Sequence, residues 1–467
     1  MPGLTHWQSP KYMAFFPCNS SFPGMLGEMY SGAFNAAAFN WICSPAVTEL
    51  ETVVMDWVAK LLNLPECYLS AGEGGGIIQG TASEVVVTAV VAARERILRR
   101  RYGHLPEGEE KMDMMAVARG KLVALGSEHA HSSTQKAAMI AGTRYRSVPA
   151  PQSTNFAVTA SALRHTISEL QAKGLEPFYF TATLGSTATC AIDALSDIAD
   201  LAKEYPDLWI HVDAAYAGSA LVCPEYQHLC PPLAAFDSFN FNMHKWLLVN
   251  FDCSAFFIKR RRDLTDTYTL TPTYLRNEFT DQGLVTDYRD WQIPLGRRFR
   301  SLKVWFVLRT YGVKGLRAFL RKHITLGESF HALVESRKDI FTVVTGPAFG
   351  LTTFHVNPPP PATPSSPSVP ANRPDPRHGA YANDFTQDAE ARYREDANQV
   401  TKAVFERVNS EGEFFLTPTV VSGIYIIRVV SATLNAEEKW LKRVFDVLVK
   451  AAEEITKAKE GAVNGKI

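Results

Sequence analysis

Residues 208–218 read LWIHVDAAYAG, an apolar run that ends in an acidic residue and continues with small residues. The β-branched and aromatic side chains before Asp213 are typical of a parallel strand that is buried on both faces. Open α/β sheets keep their ligand sites at the carboxyl ends of such strands. We therefore expect Asp213 to lie at the edge of a sheet, beside a binding cleft.

A second stretch, residues 240–250, reads NFNMHKWLLVN and follows another short strand-like run. It places His244 and Lys245 among aromatic and apolar residues. A lysine in such surroundings loses hydration, which favours the neutral and nucleophilic amine. Taken alone, Asp213 indicates a capping residue and Lys245 a solvated side chain. Together they match the two groups that pyridoxal phosphate requires, a carboxylate for its ring nitrogen and a lysine for its Schiff base.

A glycine-rich stretch, residues 72–80, comes before an apolar helix whose first turn contains Ala82 and Ser83. Glycines let the backbone approach a ligand, and the first amides of a helix are unpaired and bind phosphate. A plain cap by Ser83 is the alternative for this stretch alone. With Asp213 and Lys245 further along the chain, we interpret it as the phosphate site of the same cofactor.

From Lys121 onward, predicted strands and helices alternate, which indicates a mainly parallel sheet with helices on both faces. The strands are predicted at 122–125, 178–184 and 208–213, and the helices from 132, at 161–174 and at 192–204. His131 lies where a strand gives way to a helix. It could therefore lean over a ligand at the sheet edge, and a capping histidine is the alternative.

The motifs HVDAAYAG (211–218) and NFNMHKWLLVNFDCSA (240–255) resemble those of the group II pyridoxal-phosphate decarboxylases, most closely the aromatic L-amino-acid decarboxylases. The resemblance covers nearly the whole chain apart from a proline-rich insert. It implies an α/β fold of the fold-type I class, with a mainly parallel seven-stranded sheet domain and a smaller α+β C-terminal domain. The expected parts are a remnant of an N-terminal dimer-wrapping segment at 1–21, a large cofactor-binding domain at 22–318, and a small domain at 319–467 with the insert at 357–379.

The resemblance also implies roles for individual residues. Lys245 is expected to form the Schiff base, Asp213 to hold the ring nitrogen, and His131 to stack on the ring and meet the substrate carboxylate. His244 is expected to support the Schiff base. The remaining residues expected to contact the cofactor or its phosphate are Thr81, Ala82, Ser83, Thr183, Ala215 and Asn242.

A polar run from 265 to 292 is predicted to be structureless, and Tyr288 within it resembles the family's catalytic-loop tyrosine. Such a tyrosine closes over the site of the partner subunit in a homodimer and protonates the substrate carbon after carbon dioxide leaves. Because relatives with phenylalanine there make aldehydes by oxidative deamination, Tyr288 favours decarboxylation over an aromatic acetaldehyde synthase.

Substrate specificity is also inferred from the resemblance. Glycine at the position of Gly312 leaves room for bulky aromatic substrates in the family. We therefore expect tryptophan first, with 5-hydroxytryptophan, dopa, tyrosine and phenylalanine as other candidates. The residues implied to contact the substrate are Trp7, Pro17, Cys18, Ala37, Phe39 and Gly312.

The composition points away from several other classes of protein. Lys+Arg and Asp+Glu each number 48 among 467 residues, so no net field would attract nucleic acid or an anionic membrane. The seven cysteines are scattered without metal-binding spacing, and no apolar run approaches the ~18 residues of a membrane span. We expect a cytoplasmic enzyme without a metal. A catalytically silent scaffold that binds partners through its proline-rich insert is the alternative from another class.

Overall fold

The computed structural model describes residues 2–270, 272, 275, 278–282, 285–359 and 382–464, with main chain alone at 281, 382–389 and 460–464. The chain forms two compact units, one of residues 16–322 and one of residues 1–15 with 323–467. The boundary at 322 falls within the helix Arg300–Glu335. Most of the proline-rich insert predicted at 357–379 lies outside the described residues.

A seven-stranded sheet forms the centre of the larger unit. Its strands are β1 (Gly75–Gln79), β2 (Leu122–Ser127), β3 (Arg144–Val148), β4 (Glu176–Thr183), β5 (Trp209–Asp213), β6 (Ser238–Asn242) and β7 (Ser254–Ile258). Their order is β1-β7-β6-β5-β4-β2-β3. The strands from β6 to β3 are parallel, whereas β7 and β1 join antiparallel. The predicted α/β fold with a mainly parallel seven-stranded sheet is confirmed.

The described part of the larger unit also contains ten α-helices that lie wholly within it. They are α1 (Phe22–Phe34), α2 (Pro45–Leu61), α3 (Ala82–Tyr102), α4 (Glu109–Arg119), α5 (Ser133–Ile140), α6 (Ala160–Ala172), α7 (Leu195–Glu204), α8 (Met243–Trp246), α9 (Arg262–Tyr268) and α10 (Glu278–Asp281). The central one is α3, which buries Val85, Val86, Ala89 and Val90 against the sheet. Its start is fixed because the Thr81 hydroxyl accepts the Glu84 N–H at 3.3 Å. The amino terminus of α3 therefore has a defined position beside the sheet.

Strand β1 was not predicted, because its two glycines indicated a turn. The structure shows why a glycine lies in this strand. A Cβ atom at Gly76 would lie 2.7 Å from both Met55 Cε and Phe257 Cε1, so the neighbouring helix and strand leave no room for a side chain. All five residues of β1 are buried. This part of the glycine-rich stretch is therefore a buried strand at the edge of the sheet, and the chain continues from it into α3.

The polar run from 265 to 292 was predicted to be structureless, and this prediction is wrong for the described part of the run. Helices α9 and α10 lie at its start and middle, and a short 3₁₀ turn, Tyr288–Trp291, lies near its end. The turn is buried, and its polar neighbours find partners inside the protein. Asp287, for example, accepts the Trp41 N–H and the Thr280 hydroxyl, each at 2.7 Å. A polar side chain in this run can therefore be buried, because it forms hydrogen bonds inside the protein instead of with solvent.

The smaller unit is built on a four-stranded antiparallel sheet. Its elements are β8 (Phe341–Ala348), β9 (Leu351–Val356), β10 (Thr417–Val421) and β11 (Ile424–Val430), with the helix α11 (Arg300–Glu335) entering it and with α12 (Ala382–Ser410) and α13 (Glu438–Asn464). The strand order is β10-β11-β9-β8. Residues 1–15 belong here because Met13 bonds the backbone of Phe415 and of Val430 at 3.0 and 3.1 Å. The sequence instead indicated a separate segment at 1–21.

Three further findings concern the described part of the chain. No helix there is long and apolar enough to cross a bilayer. No group of three or more histidine, cysteine, aspartate or glutamate side chains there is arranged to hold a metal ion. All seven cysteines are free thiols.

Candidate active site

A cleft of about 180 Å³ opens at the carboxyl ends of the parallel strands, beside the start of α3. Nine of the ten residues predicted to contact a cofactor line it, and His244 is the exception. The nine are Thr81, Ala82, Ser83, His131, Thr183, Asp213, Ala215, Asn242 and Lys245. They come from five separate parts of the chain. The sheet brings them together because the carboxyl ends of parallel strands meet at one edge.

Lys245 lies in α8, directly after β6, and its amine faces an aromatic wall. The Lys245 Nζ lies 5.6 Å from the centroid of the Phe16 ring. Phe16 stacks on Tyr216 at 3.8 Å, and Tyr216 stacks on Trp246 at 4.8 Å. Stacked rings keep their positions and exclude water, so the amine is held in a partly dry environment. Phe16 and Tyr216 line the cleft but were not predicted. Phe16 is one of several aromatic residues in the N-terminal segment, and its stacking on Tyr216 becomes visible only in the folded chain.

Asp213 ends β5 and is 7% exposed. One carboxylate oxygen accepts the Ala215 N–H at 3.0 Å. A buried carboxylate is unfavourable unless positive charge lies close to it, so the site favours a ligand that brings a positive charge to Asp213.

His131 lies just before α5, and its protonation can be derived from its contacts. Its Nδ1 accepts the Ser133 N–H at 3.1 Å, so a neutral ring carries its proton on Nε2. Desolvation lowers the pKa of His131, the Asp213 carboxylate opposes this shift, and the Lys245 ammonium adds to it. At neutral pH the ring is therefore uncharged, with Nε2–H as its donor.

The first turn of α3 forms the opposite wall of the cleft. Thr81, Ala82 and Ser83 contribute to this wall, and the first amides of a helix have no partners within it. The helix dipole adds a partial positive charge there. Across the cleft, Asn242 Oδ1 accepts the Ser254 hydroxyl at 2.6 Å, which leaves the Asn242 amide nitrogen as a donor. This combination suits an anion such as a phosphate group.

Thr183 lies at the end of β4 and supplies a free polar atom. Its Oγ1 is buried and has no hydrogen-bond partner within the part of the chain that the structure describes. Its backbone is fixed, because Asp193 accepts the N–H groups of Thr183 and Val158, each at 2.7 Å. A fixed hydroxyl without a protein partner in a cleft is available to a bound ligand.

His244 does not line the cleft. Its Nδ1 accepts the Cys253 N–H at 2.9 Å, and its ring packs edge-on against Phe251 at 4.8 Å. Burial, reinforced by the charge of Lys245, lowers the pKa of His244 to about 4. The ring is therefore neutral at pH 7. It braces the backbone next to Lys245.

None of the six predicted substrate residues lines the cleft of its own chain. Trp7 lies in the smaller unit, where it stacks on Phe15 at 5.9 Å. Pro17 and Cys18 directly follow the cleft residue Phe16, whereas Ala37 is exposed and Phe39 half-buried on the segment after α1.

Gly312 interrupts α11 and lies at a different cavity. Its φ of 60° and ψ of 177° are non-helical, which explains the break in the helix. It lines a cavity of about 600 Å³ together with Trp57, Leu308 and Val313. Within one chain, Gly312 therefore does not contact a ligand at Lys245.

Tyr288 is also placed away from the cleft, in the interior of the same unit. It is 4% exposed, and its hydroxyl lies 2.9 Å from Thr52 Oγ1. Its ring packs under the Arg297 guanidinium at 4.9 Å and against Trp291. Burial raises the pKa of Tyr288 well above its usual value. Its assignment as the proton donor in a partner's cleft stays a prediction, and its buried position argues against it.

Replacement of Tyr288 by phenylalanine tests this position. We expect the free energy of unfolding to fall by about 1 kcal/mol, because one internal hydrogen bond is lost, and the reaction product to stay the same. Urea denaturation and product analysis measure the two effects. Thr52→Ala is the matched control, since it removes the same bond from the other side. A switch of product from amine to aldehyde with Tyr288→Phe alone would instead establish the tyrosine as the proton donor.

Comparisons with known proteins identify the family of this chain. The pyridoxal-dependent decarboxylase conserved domain matches residues 1–357. The aromatic-L-amino-acid decarboxylase of Sus scrofa is 42% identical over 465 residues, which cover 99% of this chain and 86% of that protein. The phenylacetaldehyde synthase of Petunia hybrida is 41% identical over 430 residues, 91% of this chain and 77% of that protein. The crystal structure of Oryza sativa TDC with PLP and tryptamine superimposes with a TM-score of 0.85 at 33% identity, over 97% of this chain and 86% of that one.

Proposed function

Because this chain belongs to the pyridoxal-dependent decarboxylase family, a family of carboxy-lyases, we propose that it converts aromatic L-amino acids to aromatic amines and carbon dioxide. The observation that carries the proposal is the cleft, where the Lys245 amine, the Asp213 carboxylate and the start of α3 converge. We place tryptophan first among the substrates. The tryptamine bound in the Oryza sativa structure supports this order.

The residues of the cleft fit pyridoxal phosphate, the cofactor of the family. The amides of Ala82 and Ser83 and the Asn242 amide nitrogen would hold its phosphate, and Asp213 its ring nitrogen. The unpartnered Thr183 hydroxyl is a further donor for the ring. When bound, the cofactor supplies an electron-withdrawing ring that stabilises the negative charge left on the substrate carbon.

The protein contributes three effects to this chemistry. Lys245 provides the primary amine for covalent attachment, and the wall of Phe16 and Tyr216 beside it excludes water. Asp213 keeps a proton on the ring nitrogen because a buried carboxylate favours a positive partner. His131 is neutral and carries its proton on Nε2, so it can donate a hydrogen bond to the substrate carboxylate. It does so without a positive charge, which would stabilise the carboxylate and oppose its loss as carbon dioxide.

The experiment that tests the proposal identifies the products. Purified protein supplied with pyridoxal phosphate is given tryptophan, 5-hydroxytryptophan, dopa, tyrosine or phenylalanine in turn. We expect amine and carbon dioxide in equal amounts, with the highest kcat/KM for tryptophan. A higher kcat/KM for dopa or tyrosine would overturn the proposed preference, and the absence of any amine would overturn the reaction.

An aromatic acetaldehyde synthase is the second candidate, and the similarity to the Petunia hybrida enzyme favours it. That reaction uses oxygen and yields an aldehyde, ammonia and hydrogen peroxide in place of the amine. The same assay distinguishes the two, because peroxide and ammonia accumulate only in oxidative deamination. The alternative of a silent scaffold is opposed by the nine predicted cofactor residues that line the cleft.

We also propose that the enzyme is a homodimer in which each chain contributes to the cleft of its partner. Helix α1 presents an exposed apolar row, with Phe22 80%, Met25 44% and Met29 62% exposed. Large exposed apolar patches of this kind mark interaction surfaces. Ala37 and Gly312, two of the predicted substrate residues, lie outside the cleft of their own chain. This also supports a dimer in which each chain brings these residues to the cleft of its partner.

Met29→Asp should therefore shift the protein from dimer to monomer and lower its activity, because a charge would have to be buried in the apolar interface. Sedimentation velocity and amine formation measure both effects. Met112→Asp is the matched control, since Met112 on α4 is equally exposed at 62% and lies outside α1. A dimer that tolerates Met29→Asp as well as Met112→Asp would exclude α1 as the interface.

A further inference from the structure

A group of polar side chains lies buried beneath Asp213, inside the sheet and outside the cleft. Trp209 and His211 belong to β5, and Ser238 and Asn240 belong to β6. All four are fully buried. The parallel register pairs His211 with Ser238 and Asp213 with Asn240. Buried polar groups weaken a sheet unless each is hydrogen-bonded, so this group calls for a specific explanation.

The hydrogen bonds in the group form a series in which each donor lies on the Trp209 side and each acceptor on the Asn240 side. The Trp209 indole N–H can only donate, and Ser238 Oγ accepts it at 2.9 Å. The Ser238 hydroxyl then donates to His211 Nδ1 at 2.8 Å, and His211 Nε2–H donates to Asn240 Oδ1 at 2.8 Å. Burial lowers the pKa of His211 to about 4, although Asp213 and Asn240 oppose this shift. A neutral ring with one N–H is the form that these bonds require.

The series ends beside the cleft. Asn240 Nδ2 is buried and has no hydrogen-bond partner in the described residues. Asn240 lies opposite Asp213 on the neighbouring parallel strand, and neighbouring strands in a sheet are roughly 5 Å apart. Asp213 itself accepts the Ala215 N–H at 3.0 Å. The residue paired with it on β6 is neutral and polar.

We propose that His211 is a positioning residue for Asp213. Its Nε2–H holds the Asn240 side chain, and the Asn240 backbone carbonyl accepts the N–H of Ala214, the residue after Asp213, at 2.9 Å. Fixing Asn240 therefore fixes the end of β5 that carries the carboxylate, in the orientation that would receive the ring nitrogen of pyridoxal phosphate. Because His211 is neutral, it does this without a positive charge that would compete with the cofactor. The rings of Tyr179 on β4 and Phe256 on β7, at 6.3 and 6.1 Å, pack against the imidazole and keep it in place. The inference rests on the proposed function only in that the cofactor binds at Asp213.

The test compares His211→Phe with the wild-type protein. Phenylalanine is close to the imidazole in size but cannot hold Asn240. We expect the dissociation constant of pyridoxal phosphate to rise about tenfold, as is typical when an outer partner of a ligand-binding side chain is lost. The absorbance and circular dichroism bands of the bound cofactor should also change, because its ring nitrogen would be less fully protonated. His211→Gln, which keeps a side-chain N–H donor, should recover part of both effects.

Three further results decide the inference. Ser238→Ala removes the partner of His211 Nδ1 but leaves the bond from Nε2–H to Asn240, so it should change the dissociation constant much less than His211→Phe. If His211→Phe does not fold, Asn240→Leu takes its place and should weaken the cofactor in the same way. A lower melting temperature of the cofactor-free variant, with an unchanged dissociation constant and unchanged bands, would show a purely structural role and overturn the inference.

These readouts are independent of the substrate and the product. A wild-type protein that binds the cofactor but makes no amine would overturn the proposed function and leave the role of His211 open to the same measurement. A wild-type protein with full decarboxylase activity and an unaffected His211→Phe variant would overturn the role of His211 alone.

Discussion

Lys245→Ala should remove the visible absorbance of the bound cofactor and lower kcat for amine formation by about 10³-fold or more. The structure gives the reason, because the Lys245 amine is the one primary amine among the residues that line the cleft. Without it the cofactor has phosphate and ring contacts but no covalent attachment. A spectrum of the purified variant and a steady-state assay with tryptophan measure the two losses.

Lys259→Ala is the matched control for this variant. Lys259 follows β7 and donates to the Ala234 carbonyl at 2.7 Å, away from the cleft. It should keep both the absorbance and the activity. A Lys245→Ala protein that retains the absorbance and the wild-type kcat would show that another lysine holds the cofactor.

Asp213→Asn is expected to have the second largest effect. The substitution removes the charge from a buried pair, and loss of one partner of such a pair typically costs about 3–5 kcal/mol. At ~1.4 kcal/mol for each factor of ten, we expect kcat at saturating cofactor to fall roughly 10²–10³-fold. The asparagine can still accept the Ala215 N–H, so the local backbone should keep its position.

Asp213→Glu separates charge from position. It keeps the carboxylate but places it one methylene further from the strand, so its kcat should lie between those of the wild type and of Asp213→Asn. Thermal unfolding of the cofactor-free proteins controls for stability. An Asp213→Asn enzyme with unchanged kcat and cofactor affinity would contradict the role of this carboxylate.

The fold and the centre of the site follow from the sequence for a simple reason. Asp213 and Asn242 each end an apolar strand, and parallel strands bring their carboxyl ends to one edge. Ala82 and Ser83 begin a helix directly after a glycine-rich stretch, and Lys245 follows β6 within three residues. Local patterns of this kind define where a side chain lies relative to its own strand. Pairing of the parallel strands then brings these side chains together at one edge of the sheet.

Other features depend on contacts between distant parts of the chain, which local patterns do not report. Tyr288 lies in a polar run, yet it is buried because Asp287 finds its partners at Trp41 and Thr280. Phe16 reaches the cleft only through its stacking on Tyr216, 200 residues later. His211 was part of the strand motif, but its bonds to Ser238 and Asn240 become visible only once β5 and β6 are paired.

The central claim is that pyridoxal phosphate occupies this cleft, attached to Lys245. Borohydride treatment of the cofactor-loaded protein makes the lysine–cofactor bond permanent, and peptide mass spectrometry then locates the added mass. We predict modification of the peptide that contains Lys245 and of no other lysine, in a yield that falls when tryptophan is added before reduction. Modification of a different lysine, or none in a protein that makes tryptamine, would contradict the account.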